Sequence, residues 1–377
     1  MNKTDSFLEH ALRERENTGS IRKLSLRKDL IDFTSNDYLG LARSKEIWEN
    51  IQNEYKNYPN HSGSTGSRLL SGNSEYAEKL EGYLTEFWKS PALLFNSGYD
   101  ANMGLFSSIP KKTDTIILDE YIHACIIDGA RLSGARRERF IHNHLESLES
   151  KLKIATGRIF VAIESIYSMD GDEAPMIEIA DLCEQYGAYL MVDEAHSTGI
   201  YGIEGRGRIE ELGLSDKVFS RVFTFGKALG CHGAVVVGSS LLKEYLINFA
   251  RTFIFTTALP LHSLISIFAT WEHLRKNKEL SQDLFRNISL FSKNLIVQED
   301  QFKAQKGAIQ VLKITGNLNA RKASDWFREK GFDLRPILYP SVPPGQERLR
   351  ICIHNFNKEK DIMDLTSFIE EYLHSIE

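Results

Sequence analysis

AYLMVDEAH (188–196) and RVFTFGKALG (221–230) are the two runs on which the fold turns. Each opens with apolar residues and closes on polar ones: Asp193 and His196 in the first, Lys227 in the second. Uninterrupted Val, Ile, Leu and Phe bounded by turn residues suit a central strand covered on both faces. Moving outward, TIILD (115–119), RIFVAIES (158–165) and AVVVGS (234–239) repeat the pattern. Helix-like pieces lie between them. APMIEIADLCEQYG (174–187) is one, with Pro175 near its start and Gly187 just past its end. Strand alternating with helix predicts an α/β fold: a large domain over 45–265 built on a mostly parallel sheet with crossover helices. After Pro260 long helical patterns run to about residue 300. IQVLKIT (309–315), a helix over 319–330, FDLRPILY and RLRICIH follow, so 266–377 reads as a smaller α+β C-terminal domain. Residues 1–44 read as a helical arm with Phe7, Leu8 and Leu12 on one side and a turn at Gly19 and Ser20. Such an arm makes no core alone and is expected to pack on the main body or on another subunit.

Composition narrows the function classes. With 377 residues, 42% hydrophobic and 26% charged, the chain carries enough apolar material for a large core. Cys125, Cys183, Cys231 and Cys352 form no CxxC pair, so no metal ribbon or redox motif has local support, and no metal is expected. The charge of −5 with scattered basic residues offers no stripe for nucleic-acid phosphates. Arg131, Arg136, Arg137 and Arg139 are read instead as a solvated helix end. The charged N-terminus is unlike a secretory signal, and LPLHSLISIFATWEHL is interrupted by His262 and Ser263, so membrane insertion is not expected and the cytoplasm is.

In an open α/β sheet the ligand lies beyond the C-terminal strand ends, which gives the polar residues there their weight. Asp119, Glu120 and His123 follow one strand, Glu164 and Ser168 a second, Asp193 and His196 a third, Lys227 a fourth. A carboxylate closing an apolar strand needs a cationic partner: a protonated pyridine nitrogen, or else an arginine or a helix cap. A lysine in a partly desolvated pocket is nucleophilic toward an aldehyde. The phosphate-loop reading fails, because Ala228 follows Lys227 where Ser or Thr is required. Ser97, Gly98 and Tyr99, in FNSGYDANMG (95–104), precede a helix whose first amides suit a phosphate, although the same residues suit a plain cap. Thr256 and Thr257 offer hydroxyls to the same group, and His123 is planar enough to stack on a heteroaromatic ring.

Seven strings then carry a family likeness: FTSNDYLGL (33–41), HSGSTGSRLLSGN (61–73), FNSGYDAN (95–102), EYIHACIIDGARLSGA (120–135), ESIYSMDGDEAP (164–175), VDEAHSTGIYG (192–202) and TFGKALG (224–230). In this order and spacing the chain resembles the α-oxoamine synthases, enzymes of the pyridoxal 5'-phosphate (PLP)-dependent transferase fold type I. The resemblance implies that Lys227 forms the Schiff base, Asp193 partners the pyridine nitrogen and His123 stacks on the ring. It implies that Ser168 and His196 contact the ring oxygen, and that Ser97, Gly98, Tyr99 and Thr224 take the phosphate with Thr256 and Thr257 of a neighbouring subunit. Glu164 matches an active-site carboxylate, while Asn36 and Arg350 match groups that hold the amino acid's carboxylate. Arg22, in GSIRKL, stands where an arginine would meet an acyl-chain carboxylate, or is an ordinary surface residue.

The implied activity is decarboxylative condensation of a small amino acid, L-alanine or glycine, with an acyl-CoA or acyl-carrier-protein thioester, in a homodimer whose active site lies at the subunit interface. A non-catalytic scaffold that kept the fold would be expected to lose the lysine or the aspartate, and both are present. Arg350 is retained, but in LRICIHNFN (349–357) the residues His354 to Asn357 differ from the family, a difference that bears on the acyl-chain or carboxylate environment.

Overall fold

The computed structural model describes residues 5–24, 26, 29–58, 62–298 and 300–376. His61, first in one of the family strings, lies outside them. The chain divides into two compact units: Leu39–Ser168 with Glu173–Ser281, and Met1–Tyr38 with Met169–Asp172 and Gln282–Glu377.

The larger unit is built on a sheet that has, among the described residues, seven strands. Their spatial order is Ala92–Phe95, Ala234–Gly238, Ser220–Thr224, Tyr189–Asp193, Ile159–Glu164, Thr115–Asp119 and Arg136–Phe140. Ala234–Gly238 runs antiparallel to both neighbours, and the five strands from Ser220–Thr224 onward are mutually parallel. Alternate residues feed two apolar layers. Ile116, Leu118, Phe160, Ala162, Met191 and Val222 pack with residues of helices Gly98–Ser108 and Ala124–Ser133. Ile117, Val161, Ile163, Leu190 and Val192 pack with residues of Leu145–Ile154 and Met176–Gln185. Both faces being covered explains why these strands read as continuous apolar runs.

Two strands escape the sequence reading. Ala92–Phe95 is short, and Arg136–Phe140 spells RRERF. The expected solvated helix end over Arg136, Arg137 and Arg139 is therefore corrected to an edge strand, in which Arg136, Arg137 and Arg139 are exposed. Charged side chains on an edge strand discourage pairing with another chain. Arg131 alone of that group sits in the last turn of a helix.

The smaller unit holds a three-stranded antiparallel sheet, in the order Arg335–Ile337, Arg348–Cys352, Ile309–Lys313. Helices Asn317–Glu329 and Glu359–Ile376 accompany it. Here the expected boundaries move. Residues 1–38 join this unit, since Ile31–Asp32 pairs parallel with Phe332–Asp333. Residues 266–281 leave it, because helix Leu261–Lys276 packs on helices Lys45–Tyr55 and Glu75–Trp88, with the Trp271 ring 4.6 Å from Phe87. The arm forms helix Ser6–Asn17, none of whose residues is buried, and Phe7, Leu8 and Leu12 stay exposed in this chain.

Candidate active site

Parallel strands bring their C-terminal residues to one edge of the sheet, and there Glu164 pairs in register with Asp193. Asp193 is buried, with Oδ1 accepting from the Ala195 amide at 2.9 Å and Oδ2 from the Asn102 amide group at 2.7 Å. Among the described residues no lysine or arginine forms an ion pair with it. Two neutral donors leave a buried carboxylate short of the countercharge that such a group needs. Glu164 is 2% exposed, and its Oε1 has no hydrogen-bond partner among the described residues. Burial first, then the charge of Asp193, pushes its carboxyl up to about 8, against the opposing pull of Lys227 and the backbone amides of His123 and Ser168. Burial and the neighbouring carboxylate therefore favour the protonated form of Glu164.

Lys227 stands in the tight loop after Ser220–Thr224. The Cys231 amide donates to Phe225 O and the Gly230 amide to Lys227 O, with Gly230 at φ +61. The Lys227 amine reaches back to 2.7 Å from Nε2 of buried His196. His123 caps helix Ala124–Ser133: its Nδ1 accepts from the Cys125 amide at 3.2 Å. That bond places the proton of the neutral ring on Nε2. Lost hydration, outweighing the attraction of Asp193, lowers the His123 pKa and keeps the ring uncharged.

Ser97 is the N-cap of helix Gly98–Ser108, its hydroxyl accepting from the Asp100 amide at 3.1 Å and donating to the Asp100 carboxylate at 2.8 Å. The first intrahelical bond runs from the Ala101 amide to Ser97 O, so the Gly98 and Tyr99 amides precede the helical ladder. A Cβ on Gly98 would sit 3.3 Å from Cβ and Oγ1 of Thr224, a close approach that favours glycine. Tyr99 is 46% exposed, and its hydroxyl donates to Asp128 at 2.9 Å. Asn96, just before the cap, donates to Thr256 Oγ1 at 3.1 Å and Thr257 O at 2.7 Å, so this chain's own threonines flank the same helix start.

In the smaller unit Arg350, 7% exposed, donates to Asn36 Oδ1 at 2.9 Å and to the Tyr38 hydroxyl at 3.3 Å. Arg22 is exposed and donates to Ser341 Oγ at 3.0 Å. Sequence reasoning missed Asn102, Asn96 and Tyr38 as partners. Asn102 and Asn96 lie in or beside the string FNSGYDAN, but only the sheet's topology sets Asn102 against Asp193.

PLP can be tested against this arrangement. Its aldehyde calls for an amine, its ring nitrogen for a buried anion without a cation, and its phosphate for helix-start amides with no side chain in the way. Lys227, Asp193 and the Ser97–Gly98 turn meet those needs. A mostly parallel sheet carrying these groups at one edge defines the class: a PLP-dependent transferase of fold type I. The chain belongs to the aminotransferase class I and II family, which matches residues 28–363, and within it to the α-oxoamine synthases, acyltransferases that use PLP. It is similar to the 8-amino-7-oxononanoate synthase of Emericella nidulans, 41% identical over 98% of this chain and 96% of that relative. Among solved structures it is similar to the Sphingomonas wittichii serine palmitoyltransferase, with TM-score 0.88 and 26% identity over 98% of this chain and 97% of the other. A second solved relative is the 8-amino-7-oxononanoate synthase of Francisella tularensis, with TM-score 0.76 and 30% identity over 92% and 99%.

Proposed function

We propose that this α-oxoamine synthase joins L-alanine to a pimeloyl thioester, releasing CO2 and the free thiol, to give 8-amino-7-oxononanoate for biotin synthesis. The observation that carries the chemistry is the Lys227 amine 2.7 Å from His196, in the loop beyond the strand that pairs with the one ending in buried Asp193. The choice of substrates is supported by the full-length 41% identity to a relative of that name.

When bound, PLP supplies an electron sink for the α-carbon of the amino acid. Lys227 would hold it covalently, Asp193 would face its ring nitrogen, His123 its ring face, and Ser168 and His196 its ring oxygen. Ser97, Gly98, Tyr99 and Thr224 would take the phosphate; the family resemblance adds Thr256 and Thr257 of a partner subunit in a homodimer, while this chain's own pair sits beside Asn96. Glu164, protonated beside Asp193, would avoid adding a second negative charge there. The Lys227 amine would be the base for the α-proton, and His196, 2.7 Å from it, would accept or return protons at substrate oxygens. Asn36 and Arg350 would hold the amino acid's carboxylate, as the family resemblance implies, a guanidinium fork being matched to a carboxylate. Arg22 would meet the far carboxylate of a diacid-derived chain. Free cysteines accord with the cytoplasm as its compartment, and among the described residues no helix is long and apolar enough to cross a membrane.

A second reading, serine with a long acyl thioester, is favoured by the TM-score of 0.88 to serine palmitoyltransferase. A methyl-sized difference between amino acids is worth about 1–3 kcal/mol in a pocket, so turnover decides. Thiol release is measured with alanine, glycine and serine against pimeloyl, acetyl and palmitoyl thioesters of CoA, and against a pimeloyl carrier protein. Release with alanine and a pimeloyl thioester is expected. Release confined to glycine with acetyl-CoA, or to serine with palmitoyl-CoA, overturns the substrate choice.

A further inference from the structure

The segment from His354 to Asn357, after Arg350, is a part of the sequence that the proposed function leaves unused. Its side chains make a closed network within the smaller unit. His354 is fully buried, with Nε2 2.9 Å from Ser35 O and Nδ1 3.1 Å from Asn357 Oδ1; burial lowers its pKa, so the neutral ring donates through only one of the two nitrogens. Asn357 Nδ2 donates to Asp32 O at 3.0 Å, and its Oδ1 accepts the His354 amide at 2.7 Å. Behind them, Asn287 on helix Glu279–Asn294 donates to His354 O at 2.8 Å and Asn357 O at 2.9 Å.

All these bonds converge on one turn. Asp32 Oδ1 accepts the Thr34 and Ser35 amides, both at 2.9 Å, and its Oδ2 accepts the Ser35 hydroxyl at 2.7 Å. Main-chain bonds from Cys352 to Phe33 O and from Asn355 to Tyr38 O hold the two ends of the turn. The product is the placement of Asn36, whose Oδ1 accepts from both Arg350 and the Tyr38 hydroxyl at 2.9 Å. A guanidinium binds a carboxylate best when its fork is held in one orientation, and groups that fix it act through it.

We propose that His354, Asn357 and Asn287 are positioning residues for amino-acid binding, fixing the 32–38 turn so that Asn36 and Tyr38 orient Arg350 toward the substrate carboxylate. This rests on the reading of Arg350 given above. Losing His354's bonds then loosens the amino-acid site alone.

The test uses His354→Leu, His354→Gln and Arg350→Ala in the full chain with PLP. His354→Leu is expected to raise the KM for L-alanine about tenfold, the ratio carried by roughly one lost buried hydrogen bond, with the KM for the acyl thioester unchanged. His354→Gln, which keeps a donor for Ser35 O, restores part of it. In an Arg350→Ala background His354→Leu adds nothing further, because both act through one group. In the cofactor-free protein the Thr34 and Ser35 amides exchange hydrogen faster in His354→Leu than in the wild type. If His354→Leu does not fold, Asn357→Asp, which keeps the acceptor and loses the donor to Asp32 O, is expected to give the same selective rise. An unchanged alanine KM in the folded variants, or a parallel rise for both substrates, overturns the proposal while Arg350→Ala still raises the alanine KM. If Arg350→Ala leaves that KM unchanged, the carboxylate reading itself falls and this proposal with it.

Discussion

Glu164 shows how much one residue's neighbours decide. From the sequence it was a polar residue at a strand end that matches an active-site carboxylate of the family, with nothing to set its protonation. Register with Asp193 and near-complete burial turn it into an acid raised from 4.5 to about 8. A folded pKa above the unfolded one means that the native state binds a proton more tightly. This contribution to stability is complete below pH 4.5 and is lost as pH rises through about 8. Glu164→Gln in the cofactor-free protein should flatten the fall in stability across that window, which urea titrations at successive pH values will read. A slope unchanged by the substitution would mean that Glu164 is ionised throughout. Lys227, Asp193 and His196 could be picked out as candidates because each closes or follows an apolar run, where a polar residue is conspicuous. Asn102 was not, since an asparagine on an amphipathic helix carries no signal until the sheet sets it 2.7 Å from a carboxylate.

At the scale of elements, the parallel strands were legible within a residue or so at most ends, because two covering layers demand continuous hydrophobicity. Arg136–Phe140 lay outside that logic: an edge strand is paired on one side, so its exposed positions tolerate arginine. The loop that carries Lys227 has its own constraint. Gly230 adopts φ +61, and a Cβ there would run into the Ala42 backbone nitrogen. The left-handed conformation alone costs a non-glycine residue about 1–2 kcal/mol, and an immovable backbone neighbour adds to it. Gly230→Ala should therefore lower the stability of the cofactor-free protein by more than about 2 kcal/mol in denaturant titration. A loss below about 0.5 kcal/mol, the range of ordinary surface substitutions, would show that the loop is not held as described.

For the whole molecule, the family was legible in seven ordered strings, whereas the borders of the two units were not. An amphipathic helix such as Leu261–Lys276 says that it has a buried face but not which body buries it. The site's charges are likewise arranged for an occupant, so binding should report as stability. PLP at about 100 times its Kd should stabilise the folded chain by roughly 2.7 kcal/mol, seen as a rise in Tm with cofactor concentration. A Tm insensitive to PLP would mean that the folded state does not bind it. The central claim is electrical: Asp193 keeps the ring nitrogen of the cofactor on Lys227 protonated. The nitrogen-15 chemical shift of PLP labelled at that nitrogen, measured in the wild type and in Asp193→Asn, reads it directly. A protonated shift in the wild type that moves to the neutral value in the variant is predicted, and a neutral ring nitrogen in the wild type would contradict the account.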